Sequence, residues 1–289
     1  RVKISKMRLA LGTAQFGLTY GLTNHGQVPF SMVKSILNTA SSNDINTLDT
    51  AIDYGDCEAR LGKMDTSNFK LVTKLPKFPD GCDITSWITS QVNDSFLRLG
   101  INNIYGLLLH KPEQLLGSDG PKIYRSLELL KEKGLVKKIG ISIYSPKELD
   151  VLIPNFHFDL VQAPLNLIDN RLINTGWMRR LKDAGIEIHT RSTFLQGLLL
   201  LKQENIPSKF LQWNNVWNQW HQWLSDSSVS ALQASLSFPL SFPEIDQVIV
   251  GVFSNDHLLD IISTSKDTLK TALPNLASED ENLINPSNW

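Results

Sequence analysis

The sequence predicts a single-domain α/β fold, a closed (β/α)8 barrel of the TIM type, and three observations carry that expectation. Short apolar runs alternate with longer amphipathic stretches eight times along 289 residues. Most of the runs are continuously apolar rather than alternating, the pattern of parallel strands covered on both faces. A polar residue or glycine also stands at the C-terminal end of almost every run: Gly12, Asp49, Lys74, His110, Ser142, Gln162, Arg191 and Gly251. In an open sheet of sequential order, the second and eighth strands would lie ~29 Å apart at ~4.8 Å per strand. Those residues would then share no site, whereas a closed barrel gathers them at the face where enzymes of this architecture work. No G-x-G-x-x-G follows the first run, so the usual mark of an open dinucleotide-binding sheet is missing.

The elements follow in order. Residues 9–12 form the first strand, ahead of a glycine-rich loop and a helix over 30–42. Residues 45–49 precede a short helix near 58–63. Residues 69–74 precede a helix over 84–99, whose Trp87, Val92, Phe96 and Leu99 fall near one face. The run 104–110 leads to a helix over 122–133, stopped by Gly134 as a C-cap glycine stops one. The run 138–142 leads to a helix over 146–153, with Ser145 as N-cap and Pro146 in its first turn. Residues 160–163 precede a helix over 173–184, again ended by a glycine, Gly185. Residues 186–191 open a long segment that closes with a helix over 229–236, and 248–251 precede a last helix over 256–263.

No linker, charge run or low-complexity tract divides the chain, so residues 1–289 read as one domain with an insertion at about 202–228 after the seventh strand. That insertion carries Trp213, Trp217, Trp220 and Trp223 at spacings of 4, 3 and 3, which places them on one helix face. An aromatic face docks the insertion on the barrel. Its position on the functional side makes it a candidate lid as well, and the two readings are compatible.

Composition narrows the classes of function. The chain is 42% hydrophobic, with 28 basic against 29 acidic side chains and a formal charge of −1. That balance excludes binding to nucleic acid through a basic surface. No apolar run reaches the ~18 residues of a membrane span, and residues 1–25 lack the pattern of a secretory signal, so the expectation is a cytoplasmic protein. Two cysteines, Cys57 and Cys82, make neither a disulfide framework nor a zinc site, and Cys57 reads as a small buried residue. His25, His157, His189 and His221 have no metal-ligand spacing, and no metal site is expected. H-E-x-x-H, P-loop and G-x-S-x-G motifs are absent.

One segment is more specific. Asp49-Thr50-Ala51-Ile52-Asp53-Tyr54-Gly55, followed by Glu58 and Leu61-Gly62, closely resembles the D-T-A-x-x-Y-G-x-x-E-x-x-L-G signature of aldo-keto reductases. Val72-Thr73-Lys74 resembles the lysine strand of that family, and Leu107-Leu108-Leu109-His110 its histidine strand. The resemblance runs in register from Gly12-Thr13 to the region of Gly251. It implies reduction of an aldehyde or ketone by hydride transfer from a nicotinamide cofactor. Tyr54 is then the general acid, Lys74 and Asp49 its tuning pair, and His110 the group that orients the carbonyl. The chemistry needs such a set, because a phenol with a pKa near 10 is a poor acid at neutral pH unless a nearby cation favours phenolate.

The resemblance also implies a cofactor site. Ser142 and Gln162 match residues that hold the nicotinamide carboxamide, but the asparagine that usually accompanies the serine is replaced by Ile143, with Asn166 nearby as a possible substitute. Arg191 stands where an aromatic residue often stacks on nicotinamide, and a guanidinium plane also stacks. Ser192, Gln196, Gly197 and Leu198 resemble the loop around the pyrophosphate. Gly251, Phe253, Ser254 and His257 resemble the adenosine-phosphate segment, where a helix N-terminus attracts phosphate. NADPH is the cofactor the resemblance implies. NADH is the alternative, because Phe253 and His257 stand where an arginine or lysine usually clamps the 2′-phosphate.

Two other functions stay open on these residues: a cofactor-binding regulatory subunit with little turnover, and a reductase or dehydrogenase for a sugar-type substrate, for which Asn24, His25 and Asn166 are the motive. The partner expected is a small-molecule carbonyl compound, and oligomeric state is left open. Trp289 and the insertion's tryptophans either line the substrate pocket or pack.

Overall fold

The computed structural model describes residues 7–22 and 26–289. Eight parallel strands close into one barrel in sequential order: β1 Leu9–Gly12, β2 Thr47–Asp49, β3 Lys70–Leu75, β4 Ile104–Leu109, β5 Val136–Ser142, β6 Leu160–Pro164, β7 Glu187–Arg191 and β8 Gln247–Gly251. The ring closes where Gly12 of β1 sits in register with Gly251 of β8. Strand residues are buried almost without interruption, as parallel strands under a layer of helices must be. Helices Phe30–Ser42, Ile84–Leu99, Gly120–Glu132 and Asn255–Thr264 lay buried stripes such as Val33, Ile36, Leu37 and Ala40 on the barrel's outer face. Inside the ring, Val72, Leu108 and Leu160 form a small core of their own, packed against Tyr105.

Most expected boundaries shift by a residue or two, but one expected helix is two. Residues 173–184 are split at Gly176, whose φ of 75° is left-handed, into Arg171–Asn174 and Trp177–Asp183. The Gly176 N–H bonds back to the Ile173 carbonyl and ends the first piece, and the second starts at a new angle.

The insertion after β7 folds as turns followed by a helix, Asn214–Ser227. Trp217 and Trp220 are buried there and donate their indole N–H groups to the carbonyls of Phe210 (2.9 Å) and Leu199 (3.1 Å). Trp223 stacks on Trp220, and Trp213 donates to Asp280 (2.9 Å). The C-terminal segment joins this second core, with the Trp289 ring 4.7 Å from Phe210. The aromatic face therefore docks the insertion. No residue of 202–228 lines the cavity described below, so the lid reading has no lining residue among those described. No helix among the described residues is long and apolar enough to cross a membrane.

Candidate active site

The barrel mouth at the C-terminal strand ends is organised around one buried ion pair. Lys74 of β3 donates to both carboxylate oxygens of Asp49 at the end of β2 (2.9 and 2.8 Å) and to the Thr50 carbonyl (2.8 Å). Both side chains are almost wholly buried, Lys74 at 1% and Asp49 at 4% exposure. Burial pushes the Lys74 ammonium down, and the Asp49 carboxylate opposes that shift. Those three acceptors use all three donors of the ammonium.

Tyr54, in the loop after β2, has its ring centre 5.2 Å from the Lys74 ammonium. Lys74 is thus the nearby cation of that segment, but its three protons go to Asp49 and Thr50 and it faces the Tyr54 ring without a hydrogen bond to it among the described contacts. Burial pushes the Tyr54 hydroxyl well above the usual phenol range, Asp49 adds to that, and Arg191 opposes it. The His110 ring meets Tyr54 edge-on at 6.1 Å. Burial, with Lys74 and Arg191 nearby, lowers the His110 pKa to about 4, so its imidazole is neutral at pH 7.

A cavity of about 650 Å³ opens at Asp49 and Tyr54 and reaches the start of helix Asn255–Thr264. Gly12, Thr13, Arg191, Ser192, Gln196, Gly197, Gly251, Phe253, Ser254 and His257 all line it. Along the β7 side, Ser192, Leu195, Gln196 and Gly197 all have positive φ, a contorted loop with its backbone against the cavity. At the far end, Ser254 caps the helix by accepting from the His257 N–H (3.1 Å), and the Phe253 and His257 rings stack.

Other expected site residues lie elsewhere. Ser142 and Gln162 are buried and do not line the cavity. Gln162 instead donates to Asp49 (2.7 Å) and accepts from Ser142 (3.4 Å), so it braces the ion pair. Asn166 is no substitute for a carboxamide ligand, since its side chain donates to the Ser192 carbonyl and accepts from the Ile168 and Asp169 N–H groups. That removes one motive for a sugar-type substrate, and Asn24 and His25 lie outside the described residues. Ile143 contributes through its backbone, its carbonyl accepting from Arg191 (2.9 Å). Leu198 packs in the second core, and Cys57 is buried and donates to Thr13 (3.2 Å), in keeping with the bland reading of it.

Several site residues escaped sequence reasoning. Tyr20 lines the cavity, and the Leu22 N–H donates to the Gln196 carbonyl (3.1 Å), tying the loop after β1 to the loop after β7. Gly17 and Gly55 let the β1 loop press on the loop bearing Tyr54. A Cβ at Gly17 would fall 1.8 Å from the Tyr54 carbonyl oxygen, and one at Gly55 2.4 Å from the Gly17 carbonyl oxygen. Glu58 is buried, accepting from Thr73 (2.8 Å), Ser95 (2.7 Å) and Arg98 (2.9 Å), and so fastens the helix after Tyr54 to β3 and its neighbour. Its place in the 49–62 motif was the available signal.

Comparison with known proteins bears on the family and the fold. The model of the Aldo/keto reductase family matches residues 8–272. An oxidoreductase, sirO, of Leptosphaeria maculans is 24% identical over 221 residues, covering 71% of this chain and 65% of that protein. An aldo-keto reductase of Mycobacterium sp. (strain JLS) is 34% identical over 162 residues, covering 53% of this chain and 55% of that protein. The matches thus span roughly half to two thirds of those relatives. In fold, the holo form of an aldo-keto reductase from Bacillus halodurans superposes with a TM-score of 0.72 at 20% identity, covering 91% of this chain and 88% of that one. With the family match running through all eight strands of the barrel, the chain belongs to the aldo/keto reductase family.

Proposed function

We propose that the chain reduces an aldehyde or ketone with a nicotinamide dinucleotide, Tyr54 serving as general acid. The observation that carries this reading is the desolvated Lys74–Asp49 pair beside Tyr54 at one end of a cavity of about 650 Å³. The lining suits a dinucleotide. Bare backbone at Gly251 lets the Gln15 side-chain amide sit close, and a Cβ there, 2.3 Å from that amide, would have to push it aside. Ser192 and Ser254 offer hydroxyls, and the N-terminus of helix Asn255–Thr264 offers a partial positive charge to phosphate. When bound, NAD(P)H supplies the hydride that reduces the carbonyl carbon.

The chain's own residues handle the proton. A phenol held above its usual range keeps its proton until the substrate oxygen becomes basic, and Tyr54 then donates it. The negative charge left on Tyr54 meets the through-space field of Lys74, which a dry site strengthens. Asp49, itself held by Gln162, keeps that ammonium charged and in place. Neutral His110 offers one N–H to orient the carbonyl oxygen.

The described residues at the far end of the cavity support near-equal use of the two cofactors. Among the described lining residues Arg191 is the lysine or arginine present, and it bonds to the Ile143 carbonyl beside Tyr144, not to the Phe253–His257 segment. NADPH and NADH therefore bind within roughly tenfold of one another. The test is cofactor oxidation across a panel of aldehydes and ketones, with Kd for both cofactors from nicotinamide fluorescence. Wild type turns over, and Tyr54→Phe loses at least about a hundredfold in kcat while its cofactor Kd stays within threefold. Wild-type kcat in Tyr54→Phe would overturn the general-acid role, and a hundredfold preference for NADPH would overturn the cofactor argument.

A further inference from the structure

Asp49 and Arg191 are the aspartate, glutamate, lysine or arginine side chains that line the cavity among the described residues. Asp49 is neutralised by Lys74. Among the described residues Arg191 has no carboxylate within ion-pair distance: its contacts there are the Ile143 carbonyl (2.9 Å), the Ser192 hydroxyl (3.2 Å) and the face of Tyr144 (4.7 Å). Those two hydrogen bonds use two of the five N–H donors of a guanidinium. The bond to Ile143 also fixes where the group lies, because Arg191 ends β7 and Ile143 follows β5, with β6 between them. The guanidinium thus reaches over β6 to the end of β5, and its charge is felt at Tyr54, Lys74 and His110. Lys111, next to His110, places its ammonium 4.8 Å from the same Tyr144 ring. Neither nearby carboxylate comes within ion-pair distance of Arg191, although Glu148 lies in its field and Asp53 in that of Lys111. Glu148 is occupied by the Tyr144 and Ser145 N–H groups (2.8 Å each), and Asp53 is more than half exposed and lies 3.7 Å from the His110 ring nitrogen.

We propose that Arg191, supported by Lys111 across Tyr144, receives an anionic group of the ligand, so that preferred substrates are carbonyl compounds bearing a carboxylate. This rests on the carbonyl-reductase reading above and names its substrate class. A half-buried guanidinium with unspent donors pairs with a carboxylate through charge-assisted, often bidentate hydrogen bonds. A contact of that kind separates charged from neutral substrates by roughly tenfold to a hundredfold.

Matched aldehydes test it. In wild type, kcat/KM for 4-carboxybenzaldehyde exceeds that for 4-methylbenzaldehyde by at least tenfold. Arg191→Met brings the ratio to about one, and Arg191→Lys keeps most of it. Calorimetry of the protein without added cofactor gives a second readout, with benzoate binding at least tenfold tighter than benzyl alcohol and losing that margin in Arg191→Met. A ratio unchanged in Arg191→Met overturns the proposal, as does a tenfold loss of NADPH affinity with the ratio intact, which would assign the guanidinium to the cofactor's phosphates. If no member of the aldehyde and ketone panel is turned over, the reductase reading fails, and the benzoate titration alone decides for or against Arg191.

Discussion

Replacing Lys74 with methionine removes one half of the ion pair on which the barrel mouth is built. The Asp49 carboxylate is then left 4% exposed with the Gln162 amide as its side-chain donor (2.7 Å). Truncating one partner of a buried pair typically costs 3–5 kcal/mol, because the remaining charge is stranded away from water. Asp49→Asn strands the ammonium instead, with the Thr50 carbonyl still accepting from it at 2.8 Å, and costs about as much. The double variant Asp49→Asn/Lys74→Met buries no net charge, and apolar or neutral replacements of whole buried pairs are often close to neutral. It should return to within about 1.5 kcal/mol of wild type, giving a coupling energy of at least about 4.5 kcal/mol. Equilibrium urea unfolding followed by tryptophan fluorescence measures all three. A cost under about 1 kcal/mol for Lys74→Met, or additive single effects, refutes the claim that the two charges depend on each other. The same proteins separate structure from chemistry. If the cation serves the Tyr54 reaction, the double variant recovers stability but not turnover, and recovery of both would reduce the pair to a structural brace.

Two further predictions rest on particular contacts. Gly17→Ala forces the Tyr54 loop to move, since the new Cβ would stand 1.8 Å from the Tyr54 carbonyl oxygen and 2.7 Å from Cys57. We expect at least a tenfold loss of kcat/KM and about 1–3 kcal/mol of stability, and steady-state rates and unfolding both unchanged would refute the contact's importance. His110 has a folded pKa of about 4 against about 6.5 unfolded, so folding favours its neutral form. The stability it contributes is therefore fully present above pH ~6.5 and is lost as pH falls toward 4, up to about 3 kcal/mol in all. Urea unfolding between pH 7.5 and 4 should show a shallower loss in His110→Gln, and an unchanged slope counts against the burial argument.

Much of the site was legible because its signals are local. Asp49, Lys74 and His110 each close an apolar run, and Tyr54 follows Asp49 within one motif. Ser145-Pro146 reads as a helix start, and the helix does begin there, one residue later than that reading, at Lys147 with Pro146 as its N-cap. Asn166 differs from the sequence expectation although its fate is also local, because an asparagine ahead of an N–H-rich turn is readily captured by that turn. The break at Gly176 is hidden in the sequence, inside a helical pattern that resumes one residue later.

By itself, the sequence determined the kind of fold and the side chains gathered at one mouth of it. Alternation of apolar runs with amphipathic helices leaves a chain of this length few ways to cover a parallel sheet. Only the tertiary structure decided what those side chains do for one another. Gln162 braces Asp49 from 113 positions away, Lys74 spends every donor before reaching Tyr54, and Arg191 lies across to Ile143 on the far side of β6. These outcomes depend on strand register and barrel closure, which bring groups distant in sequence within 3 Å. No local pattern encodes that distance, because hydrogen bonds and ion pairs are settled by which neighbours the closed ring supplies.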